Sequence, residues 1–182
     1  SEQMVTSQTY ENNYFSFFPS IFLKQGITNT FEAQASYTRR INRPGMQSLN
    51  PFVNYSDPQN LRVGNPYLKP EYINGIEIGV VKYLTTFSLT SSVFYRITND
   101  VITRYSTFDS NGVSTNTVEN LSKAKSYGVE LIGTGSIFKW WFVNASASYF
   151  RTDLEGNISS AELNSSGYSW TSKLISNMTF PN

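Results

Sequence analysis

Apolar and polar residues trade places with a period of two along much of this chain. From Thr86 to Ile97, TFSLTSSVFYRI, the apolar Phe87, Leu89, Val93, Tyr95 and Ile97 alternate with Thr86, Ser88, Thr90, Ser92 and Arg96. Such a period marks a strand with one apolar and one polar side. The same pattern sets Phe31, Ala33, Ala35 and Tyr37 against Glu32, Gln34, Ser36 and Thr38, and sets Ile76, Ile78 and Val80 against Glu77. Further on, Trp141, Val143, Ala145, Ala147 and Tyr149 oppose Asn144, Ser146 and Ser148, and Trp170, Leu174, Met178 and Phe180 oppose Thr171, Lys173, Asn177 and Thr179. Each segment runs for about ten residues, the length of a tilted strand that crosses a bilayer. Strands of soluble sheets usually stop at about five or six.

The connections alternate between tight and long. Gln25-Gly26-Ile27-Thr28, Tyr83-Leu84-Thr85 and Phe138-Lys139-Trp140 are expected as short turns, and Arg40 to Glu71, Asn99 to Lys125 and Asp153 to Gly167 as long loops. The second excursion is expected to hold its own hairpin, with Val101 to Phe108 and Val113 to Leu121 as strands around the turn Asp109-Ser110-Asn111-Gly112. Aromatic residues gather at both ends: Tyr83, Phe87, Phe138, Trp140 and Trp141 by the short turns, and Tyr95, Tyr127, Tyr149, Tyr168 and Trp170 by the long loops. Two aromatic girdles, short turns at one end and long loops at the other form the layout of a transmembrane β-barrel. The predicted fold is therefore all-β, an antiparallel meander of long strands, with residues 1–182 forming part of such a barrel. A soluble β-sandwich, acting as a glycan-binding or adhesin module, is the alternative that alternation alone leaves open.

Composition narrows the chemistry. The 182 residues contain no cysteine and no histidine, which removes thiolate and histidine-based catalysis and nearly all zinc sites. With 14 basic against 13 acidic residues, nothing favours nucleic acid as a partner. No apolar run is long enough for a membrane helix, which leaves a strand-built barrel untouched. Asp153 with Glu155, and Asp57, are loop carboxylates with no apolar pocket to tune them as an acid and base. Asp109-Ser110-Asn111-Gly112 lacks the carboxylates of a calcium loop. No catalytic, metal or cofactor site is expected, although an outer-membrane enzyme barrel stays as a further alternative.

A family likeness rests on an ordered set of motifs. These are Arg39-Arg40-Ile41-Asn42-Arg43-Pro44, Leu49-Asn50-Pro51-Phe52, Gly64-Asn65-Pro66-Tyr67-Leu68-Lys69-Pro70-Glu71, then Asn74 and Glu77-Ile78-Gly79. Together they resemble the C-terminal barrel of TonB-dependent outer-membrane receptors. YFSFFPSIFLKQ from Tyr14 to Gln25 and RRINRP are most similar to the branch found in Bacteroidetes. The resemblance covers about Tyr14 to Phe180. It implies a 22-stranded barrel around an N-terminal plug, placed in the bacterial outer membrane. It also implies import of a nutrient, whether an iron complex, glycan, peptide or vitamin, with energy coupled from the inner membrane. The implied partners are outer-membrane lipid, the receptor's own plug, TonB and a surface lipoprotein. No plug or TonB box is recognisable here, so the chain is expected to be a portion of a receptor. Its open strand edges are expected to self-associate when isolated.

The expected ligand- or plug-contacting residues follow from these motifs. Arg39, Arg40 and Arg43 are placed to hold plug carboxylates or an anionic substrate, with Glu71 and Glu77 answering them across the lumen. Asn65 and Tyr67 come from the GNPYLKPE element, read chiefly as a device that sets strand register. Tyr105 and Phe108, on the predicted hairpin, are candidates for stacking on a ligand.

Overall fold

The structure, a computed structural model, describes residues 15–158 and 161–179; Tyr14 and Phe180 of the sequence reading lie outside them. Eight strands form one sheet: β1 (Ser20–Thr28), β2 (Phe31–Asn42), β3 (Asn60–Arg62), β4 (Glu71–Tyr83), β5 (Phe87–Phe108), β6 (Ser114–Phe138), β7 (Trp141–Ile158) and β8 (Ala161–Met178). A single helical turn, α1 (Met46–Leu49), interrupts the passage from β2 to β3. The order β1-β2-β4-β5-β6-β7-β8 is the predicted meander, and short β3 pairs in parallel with β6.

Register shows why the alternation matters. Residues directly opposite across an antiparallel pair share a face. Ala35 lies opposite Ile78, which lies opposite Val93, while Tyr37, Ile76 and Tyr95 form the next such row. The other face runs Ser36, Glu77, Phe94 and then Thr38, Gly75, Arg96. Polar side chains of that face bond across strands: Asn144 Nδ2 donates to Thr134 Oγ1 at 2.9 Å, and the Ser148 and Thr171 hydroxyls meet at 2.6 Å.

The apolar face is the exposed one. Ile78 is 58% exposed, Val93 55% and Leu174 70%, whereas Ser92 on the polar face is buried. A soluble sandwich would bury that apolar face against a second sheet. Here it is the surface a bilayer covers, and the sandwich reading fails. Aromatics bound the face at both ends. Phe138 stacks on Trp140 at 5.6 Å and Trp140 on Trp141 at 6.2 Å, while Tyr149 stacks on Tyr168 at 5.8 Å at the far end. Trp141 and Tyr149 stand about 26 Å apart along β7 at about 3.3 Å per residue. The apolar band of an outer-membrane barrel is about 25 Å tall.

Two expected connections differ from the structure. The first turn is Asn29-Thr30 and not Gln25–Thr28; Gly26 stays in β1 opposite Glu32, and the register slips between Gly26 and Thr28. The glycine marks a bulge, a role it takes inside strands as readily as in turns. The segment Asp153 to Gly167 is not a long loop. β7 and β8 continue through it, pairing Asp153 with Ser166 and Glu155 with Asn164. Its residues are too polar to alternate, yet a ladder beyond the membrane needs only backbone bonds and no apolar face. The expected inner hairpin is present: Asp109 N donates to Val113 O at 3.1 Å, and Gly112 takes φ +80°, open to glycine without strain.

By its internal contacts the chain divides into two units. The sheet unit comprises Phe18–Asn42, Pro70–Val101 and Leu121–Asn182. The loop unit includes Arg43–Lys69 and Ile102–Asn120. Strands β5 and β6 contribute to both.

Candidate functional site

Within the loop unit the Gly64–Lys69 part of the GNPYLKPE element is tied down by backbone and side-chain bonds. Gly64 N donates to Asn50 O at 2.8 Å and Asn65 N to Ser48 O at 2.7 Å. A Cβ on Gly64 would lie 2.6 Å from the carbonyl oxygens of Ser48 and Asn50, so only glycine permits this approach. Asn65 Oδ1 accepts from Tyr67 N at 2.9 Å, a turn closed by its own side chain. Leu68, 1% exposed, is the largest fully buried side chain among the described residues. Asn120 then grips the next peptide from both sides, its Oδ1 accepting from Lys69 N at 2.7 Å and its Nδ2 donating to Lys69 O at 2.9 Å. In the sheet unit Glu71 opens β4, and Asn42 Nδ2, directly across on β2, donates to it at 2.7 Å.

The predicted contact residues separate by face. Adjacent residues of a strand point to opposite sides, so Arg39 and Arg40 cannot act together. Arg39 lies on the apolar face, its guanidinium 5.2 Å from the centre of the Tyr72 ring. Its Nε is buried without a hydrogen-bond partner. Arg40 lies on the polar face and lines a cavity of about 280 Å³ with Ser36, Thr38, Glu77, Phe94 and Arg96. No ion pair joins Arg40 to Glu77 among the described residues. Glu77 sits opposite Ser36 and Arg40 opposite Ile73, about 13 Å along the strand at about 3.3 Å per residue. Arg96, noted in sequence only as a polar-face residue, stands over the Phe94 ring at 5.4 Å.

The remaining candidates lie in the loop unit. Arg43 and Tyr67 are exposed, and Phe108, at the end of β5 beside the hairpin turn, is 74% exposed. Tyr105 is only partly exposed; burial, together with the charge and hydrogen bond of Glu119, raises its phenol above the ordinary value of 10.0. A raised folded-state pKa favours the fold below the ordinary value, and that contribution fades as pH climbs through the raised one. Phenolate absorbance is therefore expected to lose a component ionising above the ordinary value when Tyr105→Phe is introduced. A high-pH titration unchanged by the substitution would refute the raised Tyr105 phenol, to which burial contributes most and Glu119 next.

A second cavity, of about 440 Å³, lies wholly within the loop unit and was not foreseen from sequence. Gln47, Asn50, Phe52, Asn54, Arg62, Arg104 and Asn116 are among its lining residues. Parallel pairing of β3 with β6 sets Arg62 beside Asn116, a proximity no local pattern reveals. Nearby Asp57 is held below its ordinary value by the Asn60 side chain, then by the Gln59 amide, with a smaller part from the charge of Arg62. No group of three or more metal-ligating carboxylates, histidines or cysteines converges among the described residues.

A sheet with an exposed apolar band, aromatic borders and a hydrogen-bonded polar face is the wall of a transmembrane β-barrel. Comparison with known proteins agrees: the profile of the outer membrane protein beta-barrel family matches residues 1–182. The chain belongs to that family, and its place is the bacterial outer membrane. No curated protein sequence matches it. Its fold is similar to the siderophore receptor PirA from Pseudomonas aeruginosa, with TM-score 0.60 and 18% identity over 90% of this chain and 36% of that one. It is also similar to the ferric enterobactin receptor PfeA of Pseudomonas aeruginosa, in a mutant form with enterobactin, with TM-score 0.56 and 16% identity over 76% of this chain and 25% of that one. The copper transporter OprC aligns with TM-score 0.52 and 14% identity over 76% of this chain and 24% of that one. The chain thus spans about a third or less of the length of these structures.

Proposed function

We propose that this chain is wall and loop scaffold of a TonB-dependent receptor that imports a nutrient across the outer membrane. The observation that carries the reading is the likeness of the sheet, over 90% of the chain, to a siderophore receptor barrel. The ordered motifs from Arg39 to Gly79 support it. The chain's own part is mechanical and recognitive, without catalysis. Its apolar face anchors in lipid, its polar face lines the passage, and its loop unit offers ligand contacts. The receptor's plug and TonB supply gating and energy.

The test uses the intact receptor in its host. Cells lacking it are expected to grow poorly on one class of scarce nutrient, and dissipating the proton-motive force is expected to stop its uptake through the receptor. Uptake that continues at an undiminished rate without inner-membrane energy would make the barrel a passive pore and end the reading.

A further inference from the structure

We propose that the loop-unit cavity binds a small polyhydroxylated ligand that carries an oxyanion, an acidic sugar, held chiefly by Arg62 and Arg104. This names a substrate class for the receptor reading above and rests on it.

Its volume of about 440 Å³ lies within the range of small-molecule sites, about 300–1,000 Å³. Arg62 of β3 and Arg104 of β5 are among its lining residues, and, among the described residues, no aspartate or glutamate is. Neither arginine forms an ion pair among the described residues. Asp57, whose charge reaches Arg62, is committed to its own turn: Oδ1 accepts from Gln59 N at 2.9 Å and Oδ2 from Asn60 Nδ2 at 2.8 Å.

The amides point to the same ligand. Asn50 Oδ1 accepts from Phe52 N at 3.1 Å, and Asn54 Oδ1 accepts from Ser56 N at 2.9 Å and Ser56 Oγ at 2.6 Å. Both lone pairs of Asn54 Oδ1 and one of Asn50 Oδ1 are committed to turns, whereas neither NH2 group donates a hydrogen bond among the described residues, so these side chains offer mainly N–H donors. Asn116 is used at both ends, accepting from Ser106 Oγ at 2.8 Å and donating to Leu61 O at 3.3 Å. Two arginines without an ion pair among the described residues, beside amide N–H donors, suit a ligand rich in acceptors and negative in charge. Phe52, 78% exposed, adds an apolar ring surface for the C–H face of a sugar. A carboxylate or sulfate on the sugar would meet the arginines, and its hydroxyl oxygens the amide donors.

Titration calorimetry on the detergent-solubilised full-length receptor tests this with three probes: trigalacturonate, a sulfated galactose trisaccharide and neutral maltotriose. At least one acidic probe is expected to bind at least tenfold more tightly than maltotriose, and the carboxylate and sulfate arms identify the oxyanion. The double variant R62Q/R104Q is expected to bring the acidic probe to the affinity of the neutral one. If that variant loses the heat-dependent gel migration of a folded barrel, R104Q alone, at an exposed position, carries the expectation of at least a tenfold loss. Equal binding of acidic and neutral probes, no binding of either acidic probe, or a folded variant with unchanged affinity would overturn the proposal. Each of those results leaves energy-coupled import of another nutrient intact, so the two readings fail separately.

Discussion

Leu68→Ala is expected to loosen the loop unit at a cost of about 2–5 kcal/mol, the range for removing a fully buried leucine side chain. Leu68 is 1% exposed in a chain whose other buried apolar residues among those described are Val81, Val118 and Val143. With so small an apolar interior, one truncation removes a large share of it. The cavity left behind cannot refill easily, because Gly64, Asn65 and Lys69 on either side are fixed by backbone and amide bonds. Hydrogen exchange on the folded receptor is the direct measurement. The amides of Gly64, Asn65 and Lys69 are expected to lose protection, while those of β7, outside the loop unit, keep theirs. Protection unchanged in the loop unit would show that Leu68 is not its anchor. Asn120→Ala is expected to act on the same segment more weakly, since the bonds it removes, the two to Lys69 among them, are worth about 0.5–1.5 kcal/mol each and it opens no apolar void.

Ile78→Arg is expected to cost about 2–4 kcal/mol when the receptor is unfolded by urea from lipid vesicles, the range for arginine facing the bilayer midplane. Ile78 sits midway along β4 on the exposed apolar face, between Ala35 and Val93. Ser36→Arg supplies the contrast. Ser36 is the neighbour of Ala35 but points the other way, directly opposite Glu77. There an arginine gains a carboxylate partner in a polar setting, and the change is expected to stay within about 1 kcal/mol. Equal costs at the two positions would mean that the faces are misassigned. A larger cost at Ser36 would mean that the sheet is inside out.

The faces were legible because side-chain direction is a local property of an extended backbone. Ile76, Ile78 and Val80 against Glu77 needed no partner strand to be read. The hairpin turn at Asp109–Gly112 was equally local, since its residue types favour a turn and glycine admits the positive φ found there. The paired course of β7 and β8 from Asp153 to Gly167 was not legible. Outside the membrane a ladder carries no apolar face, so its strands leave no period behind.

Candidate sites followed the same division. Arg40 and Glu77 were named from sequence as contact residues, and both line one cavity. Arg39 was grouped with Arg40, although alternation sends it to the other side and against Tyr72. Arg62 and Arg104 went unnoticed, because each is an isolated cation in its own segment and only the β3–β6 pairing and the hairpin bring them to one wall.

By itself, then, the sequence determined that long strands alternate, which side of each meets lipid, and that the inner hairpin turns at Asp109–Gly112. The tertiary structure alone decided that Asn120 grips Lys69, that Asn42 meets Glu71, and that Arg62 and Arg104 line one cavity. The physical reason is range. Backbone geometry sets the direction of a side chain within two residues, whereas its partner depends on the register between strands joined through long stretches of chain.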